Sequence, residues 1–488
     1  MTCPIISSRL VWNTAPLMSA MFLVLVQSPV QARSMTWGDT RPATSRLPGD
    51  TPEWSEPVAL LPEIDGDGRR YRVETVVSAE EQGAWLFVVD KTLSDDHIVV
   101  WAVHAPGPGE QVASFPVVDA PRSSVGDGSA VVMADGRVLF AYTRLDLDTD
   151  EETIEIVSRD PGGEWTHPTI LVRERVGIQR LDMVRDDQGD LVLTFERDVE
   201  GVYEIPMIMF LEGLSDTWTD PVRITPEDQA TGYLSLLSNE DGSAVYLGYS
   251  LYSAPDATPG MYLQRVDTLT LELEPPILIA GTAAALKRGA LASHYFFPAG
   301  VDAFGDVTML FQAGPTWPCG FNYYCSEIDL WAVRIEDGEC SRPVRLIRDA
   351  PNAWFNDDYS VDVSASGRVL FTFLQPFPSE TVALSAQYRP DTGRWSLRMI
   401  NLDYGYPPRV VYRGEGDTAV AAMSTSESDG FQITSKLFDG NRWDTSFTSV
   451  PGNDLAYWND YGVVDTGRSS FLWYVTSDYD RVMGSWLR

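Results

Sequence analysis

Lysine is almost missing from this 488-residue chain. It occurs only at Lys91, Lys287 and Lys436, so arginine carries nearly all of the positive charge. Against 36 basic residues stand 70 acidic ones, and the formal net charge is −34. A surface of that sign repels nucleic acid and anionic membranes, which excludes both as expected partners. Cysteine is scarce, with four in the whole chain. Zinc-ligand spacing, a phosphate-binding loop and a serine-nucleophile elbow are all absent, so no cofactor and no metal is expected. Asp146-x-Asp148-x-Asp150 looks like the start of a calcium loop. Glu151 stands where such a loop needs glycine, and Val157 where it needs glutamate, so a solvated acidic turn is the better reading. Sustained helical periodicity with caps is absent too, which points to an all-β chain.

Long apolar runs are confined to the N-terminus. Arg9 precedes the run Pro16 to Val26, and Val30-Gln31-Ala32 follows as a small-x-small site. That order reads as a secretory signal peptide over residues 1–32, too short to span a bilayer comfortably. Residues 33–51 then form a linker and 52–488 a single domain. The expected location is outside the cell or in the periplasm, where disulfides persist. Of Cys319, Cys325 and Cys340, the first two flank a short loop and are the natural pair; the sequence does not fix the connectivity.

What is abundant is a repeat. Trp54-Ser55-Glu56-Pro57-Val58 returns as Trp165-Thr166-His167-Pro168-Thr169, as Trp218-Thr219-Asp220-Pro221-Val222 and, with cysteine in the Trp place, as Cys340-Ser341-Arg342-Pro343-Val344. Weaker copies centre on Trp395 and Trp443. Each is followed by a tight turn before a strongly apolar strand, as in Asp135-Gly136, Gln188-Gly189, Asp241-Gly242 and Ser366-Gly367. Inner strands are expected to start near residues 73, 127, 181, 233, 298, 358, 409 and 459. The spacing of roughly 50 residues suits four-stranded propeller blades. The expected fold is a β-propeller of eight blades, with seven the alternative. Its last blade is short of one strand, which the segment from Trp54 to Leu60 supplies.

Ser158-Arg159-Asp160-Pro161-Gly162-Gly163-Glu164-Trp165 matches the Asp-box pattern S-x-D-x-G-x-x-W, and the chain resembles the sialidase (BNR-repeat) superfamily of propellers. Asp160 and Trp165 are read as structural, on the face away from any site. Tyr71-Arg72-Val73-Glu74 is similar to the Tyr-Arg-Ile-Pro motif of that family, where the arginine belongs to a triad that binds a carboxylate. Ser94-Asp95-Asp96-His97 sits in the loop that matches the family's acid/base aspartate, so Asp95 and Asp96 are candidates for proton transfer. The departures are Glu74 in place of proline, the lack of matches for the other triad arginines, and more blades than the family's six. Arg288, Arg409 and Arg413 lie in suitable connections. Tyr457 and Tyr461 are placed for a tyrosine nucleophile, and Tyr461 is taken as the candidate.

Residues 314–325 form a long aromatic loop that includes Trp317 and Tyr323. Neighbouring connections carry Arg288, His294, Tyr295, Trp354 and Trp458, and these seven residues are the candidate substrate-binding set, since aromatic faces stack on sugar rings. The expected ligand is a glycan or another extracellular small molecule or polymer, and the chain is expected to be a monomer. The resemblance implies a sialidase-like role in binding or cleaving glycans. A non-catalytic scaffold propeller is one alternative, and a polysaccharide lyase using Tyr295 or His294 is another.

Overall fold

The computed structural model describes residues 53–487, apart from 63–68, 80–82, 93–96, 176, 199–204, 213–216, 226–229, 254–257, 268–269, 271, 281, 283–298, 314–327, 351–358, 377–380, 402–407, 415, 428–429, 452–460, 468 and 477–480. It is an all-β propeller of eight four-stranded antiparallel blades. The inner strands are Arg69–Ala79, Ser123–Val132, Gly177–Arg185, Ala230–Ser238, Ala299–Val301, Tyr359–Val363, Arg409–Tyr412 and Tyr461–Asp465. Each begins within four residues of its expected start. Successive inner strands touch in turn, and the eighth touches the first.

Ring closure follows the expected scheme. Val58–Ala59 is the outer strand of blade 8, pairing with Gly484 and Met483, and Trp54 bridges Leu487. A closed ring leaves no inner edge open to another chain.

The Trp-[Ser/Thr]-x-Pro repeat has a physical reason. Proline has no N–H, so the outer strand is broken there. In blade 3 the outer row is therefore two short pieces, Thr217–Trp218 and Val222–Arg223, both paired with Ile205–Glu212. The hydroxyl after the Trp position fills the break. Thr166, Thr219, Ser341 and Ser55 accept the backbone N–H of Ser158, Phe210, Arg334 and Trp486. Each of the four residues also donates its own N–H to the carbonyl of that same third-strand residue.

The turns between first and second strands repeat as closely. Met133, Asp186, Asn239, Asp302 and Ser364 each accept the N–H of a glycine three residues on, and that glycine has positive φ. Glycine takes this backbone at no steric cost. At Gly242 the packing demands it as well, since a Cβ would lie 2.5 Å from the backbone carbon of Asp186 in the next blade.

Blades are held together by apolar layers. Phe87 stacks on Phe140 at 4.1 Å, and Trp165 packs edge-on against Trp85 and Phe87. Two outer-strand tryptophans add a polar tie. Trp443 donates its indole N–H to Ser385 and Trp54 to Ser435, each at 2.8 Å across a blade boundary. Between blades 5 and 6, buried Arg334 pairs with Asp302, Asp306 and Glu336 and lies over the Tyr388 ring.

The ring is uneven in one respect. Inner strands of blades 1 to 4 have 11, 10, 9 and 9 residues, and each has a register shift against its neighbour. Those of blades 5 to 8 have 3, 5, 4 and 5 residues in unbroken register. Bulges re-aim side chains. Here they lie toward the end where inner strands begin, the end opposite the Asp-Gly turns.

Candidate functional site at the axial mouth

The bulge in blade 1 falls between Val73, paired with Val88, and Thr75, paired with Phe87, so Glu74 is the extra residue. Arg72 and Glu74 form an ion pair. The Arg72 side chain is 56% exposed and that of Glu74 9%. The same Arg72 nitrogen, Nη2, donates to the carbonyls of Val125 and Gly126 at 3.2 and 3.4 Å, in the bulge of blade 2. Its Nη1 and Nε have no partner among the described residues. One nitrogen is thus anchored, and the side chain as a whole is more than half exposed.

Burial pushes the Glu74 carboxyl up to about 7; Arg72 opposes the shift and nearby Asp127 adds to it. Asp127 is exposed and accepts the backbone N–H of Arg180. Arg180 has φ +55°, in the bulge of blade 3. A non-glycine residue in this left-handed region is strained, and surrounding bonds must hold it there. Those bonds are present. Its guanidinium reaches both oxygens of Glu196, at 3.3 and 3.0 Å, and Glu196 accepts the Leu234 N–H of blade 4 at 2.7 Å. Glu152 takes the Ile178 N–H at 2.8 Å, and burial raises its carboxyl, with Asp127 contributing. A polar chain therefore runs around the mouth from blade 1 to blade 4.

The structure places the sequence candidates as follows. Asp95, Asp96, Arg288, His294, Tyr295, Trp317, Tyr323, Trp354 and Trp458 lie outside the described residues, as do Tyr457, Cys319 and Cys325. Arg72 lies near the start of the inner strand of blade 1, where its pairing with Glu74 occupies one nitrogen. Tyr461 departs from expectation. It is 2% exposed, packed in the layer with Trp54 and Val420, and its hydroxyl accepts the Ser424 N–H. The chain enters the inner strand of blade 8 at this residue, and the aromatic ring fills the space between blades 7 and 8. Arg409 donates to the Tyr359 carbonyl. Arg413 corrects the expectation of a mouth position. It follows Tyr412 at the other end of the inner strand, where its N–H bonds Thr418 across the turn and its charge favours ionised Asp465. Cys340 is a free, partly buried thiol. In the acidic turn of blade 2, Asp146 caps the N–H groups of Asp148 and Thr149.

Glu74, Asp127, Arg180 and Glu196 were not singled out from sequence beyond Glu74's departure from the motif. A signal was there. Arg72 meets Val125, Asp127 meets Arg180, and Ser129 meets Asp182, each 53 residues apart. Polar residues one blade period apart on inner strands are neighbours around the axis.

No family model matches the chain, and no curated protein matches it. Among solved structures it is similar to a Penicillium chrysogenum α-L-arabinanase complexed with arabinobiose, at 11% identity and TM-score 0.39, covering 65% of this chain and 94% of that one. It is similar to polysaccharide lyase Uly1, at 9% identity and TM-score 0.44, covering 74% and 89%. It is similar to the Dos1 propeller, at 9% identity and TM-score 0.48, covering 89% and 95%. The propeller assignment rests on the chain's own sheet order.

Proposed function

We propose that the protein is an exported, sialidase-like propeller that binds acidic glycans at the axial mouth of blades 1 to 4, with Arg72 receiving a sugar carboxylate. One observation carries this reading: the Arg72 side chain is 56% exposed and anchored through Nη2, while Nη1 and Nε have no partner among the described residues. A planar fork held in this way suits a carboxylate. The aromatic residues of the expected binding set would supply stacking surface.

The test compares wild type with Arg72→Ala against fluorogenic sialosides and uronate polysaccharides, by calorimetry and by turnover. The expected result is loss of binding in Arg72→Ala, with the variant still folded by circular dichroism at the assay temperature. Wild type that binds no acidic glycan, or a variant that binds equally well, refutes the reading. Binding without cleavage is a second reading. It is favoured by the position of Tyr461, whose hydroxyl is packed between blades and bonded to the Ser424 N–H. Calorimetric binding with no turnover by wild type would select it.

A further inference from the structure

Resting on that reading, we propose that Glu74 is a built-in competitor for Arg72, so that an acidic saccharide binds the mouth only as Glu74 takes up a proton. The geometry gives the reason. Among the described residues Arg72 has one ion-pair partner, on its own strand two residues away, and that side chain is nine-tenths buried while the Arg72 side chain is more than half exposed. A ligand carboxylate approaching Arg72 enters beside a second carboxylate with little solvent to separate the charges. Like charges so placed are relieved when one is neutralised, and the buried one is the cheaper to protonate.

The groups that face Glu74 support this direction. Arg72 lowers its proton affinity, and Asp127 of blade 2 raises it. Glu152, from the third strand of blade 2, couples to Asp127. On the second strand of blade 1 the charged residues are Asp90 and Lys91, and Asp90 accepts the Trp101 indole N–H. The inner strand of blade 8 has its one charged residue, Asp465, at the end away from the mouth, where it accepts the Gly414 N–H. With Glu74 titrating at about 7, its protonated fraction falls through the neutral range. Apparent affinity scales with that fraction, so it should weaken about tenfold between pH 6 and pH 8.

The experiment is isothermal calorimetry of the full chain with two probes, a galacturonate trimer and sialyllactose, at pH 6, 7 and 8, in buffers of different ionisation enthalpy. Both probes stay ionised over this range, so a pH effect belongs to the protein. The expected result for wild type is about tenfold weaker binding at pH 8 than at pH 6, with close to one proton taken up per ligand at pH 8. Glu74→Gln should bind at pH 8 as tightly as wild type does at pH 6, with no proton uptake. Asp127→Asn, which removes the like charge, should keep the pH dependence and move its midpoint lower. Binding by wild type that is independent of pH, or a pH dependence that survives in Glu74→Gln, overturns the competition and leaves the glycan reading standing. Failure of both probes to bind at any pH overturns the glycan reading itself, and the competition with it.

Discussion

Replacing Trp54 by alanine should open the ring at one place. Trp54 is 5% exposed and packs against Val420, Ile433, Val450 and Tyr461. Truncating a buried tryptophan costs about 3–5 kcal/mol, of which its hydrogen bond to Ser435 accounts for about 1. The backbone cannot make up that loss. The closing segment pairs through Val58 and Ala59, the Trp54 bridge to Leu487 and the Leu60 N–H to Val482, helped by Ser55, which exchanges hydrogen bonds with Trp486 and accepts one from Ser485. A loss of this size is a large share of a typical domain's stability of about 5–15 kcal/mol. Trp443 makes the equivalent indole bond to Ser385, but its strand is continuous with its own blade. Trp443→Ala should therefore cost as much in urea unfolding without loosening blade 8. Amide exchange read by mass spectrometry separates the two, because residues 482–487 should speed up in Trp54→Ala and not in Trp443→Ala. A Trp54→Ala loss below about 1 kcal/mol, or equal acceleration in both variants, would refute the latch.

Three further outcomes are expected. Arg334→Met should cost about 3–5 kcal/mol in thermal unfolding, because fully buried Asp302 then loses its cation; an unchanged midpoint contradicts the role given to this network. Thr219→Val keeps the shape but strips the acceptor from the Phe210 N–H, so urea unfolding should show a loss of about 1–3 kcal/mol, and a neutral result would mean that water fills the strand break. Burial raises Asp182 to about 6 and Asp362 to about 7. A carboxyl whose folded pKa is raised stabilises the fold at low pH, and that contribution fades as pH climbs through the folded value. Stability should thus decline between about pH 4 and pH 7, and Asp362→Asn should flatten the decline; an equally steep profile in the variant would show that other groups cause it.

How much of this was legible in the sequence depends on the range of the interactions. The blades were, because their signals are local. Trp218-Thr219-Asp220-Pro221 encodes a strand break and its repair within four residues, and Asp241-Gly242 encodes a turn within two. The site was only partly so. Arg72 stood out through a short motif, and Glu74 beside it was already the departure that mattered, since the structure joins the two in an ion pair. What the sequence concealed was burial. Glu74 is shielded by its place in a bulge beside blade 2, and Asp127 is oriented by the backbone of Arg180, 53 residues on. No periodicity within one strand reports a carboxyl's proton affinity when its neighbours come from the next blade.

Global charge is a poor guide to the mouth for the same reason. A net charge of −34 disfavours acidic ligands at long range, yet over such distances salt screens it within about 10 Å. At contact the local pattern decides. On the inner strands of blades 1 and 3, two arginines are paired with buried carboxyl groups, Arg72 with Glu74 and Arg180 with Glu196. The two pairs are not equivalent. Glu196 takes two bonds from Arg180 and one from the Leu234 N–H, which fix it in place as a strut. Among the described residues Glu74 is held by Arg72, and burial raises its carboxyl to about 7. Of the two arginines, then, Arg180 is committed to the scaffold, and Arg72 is the one that a proton can release.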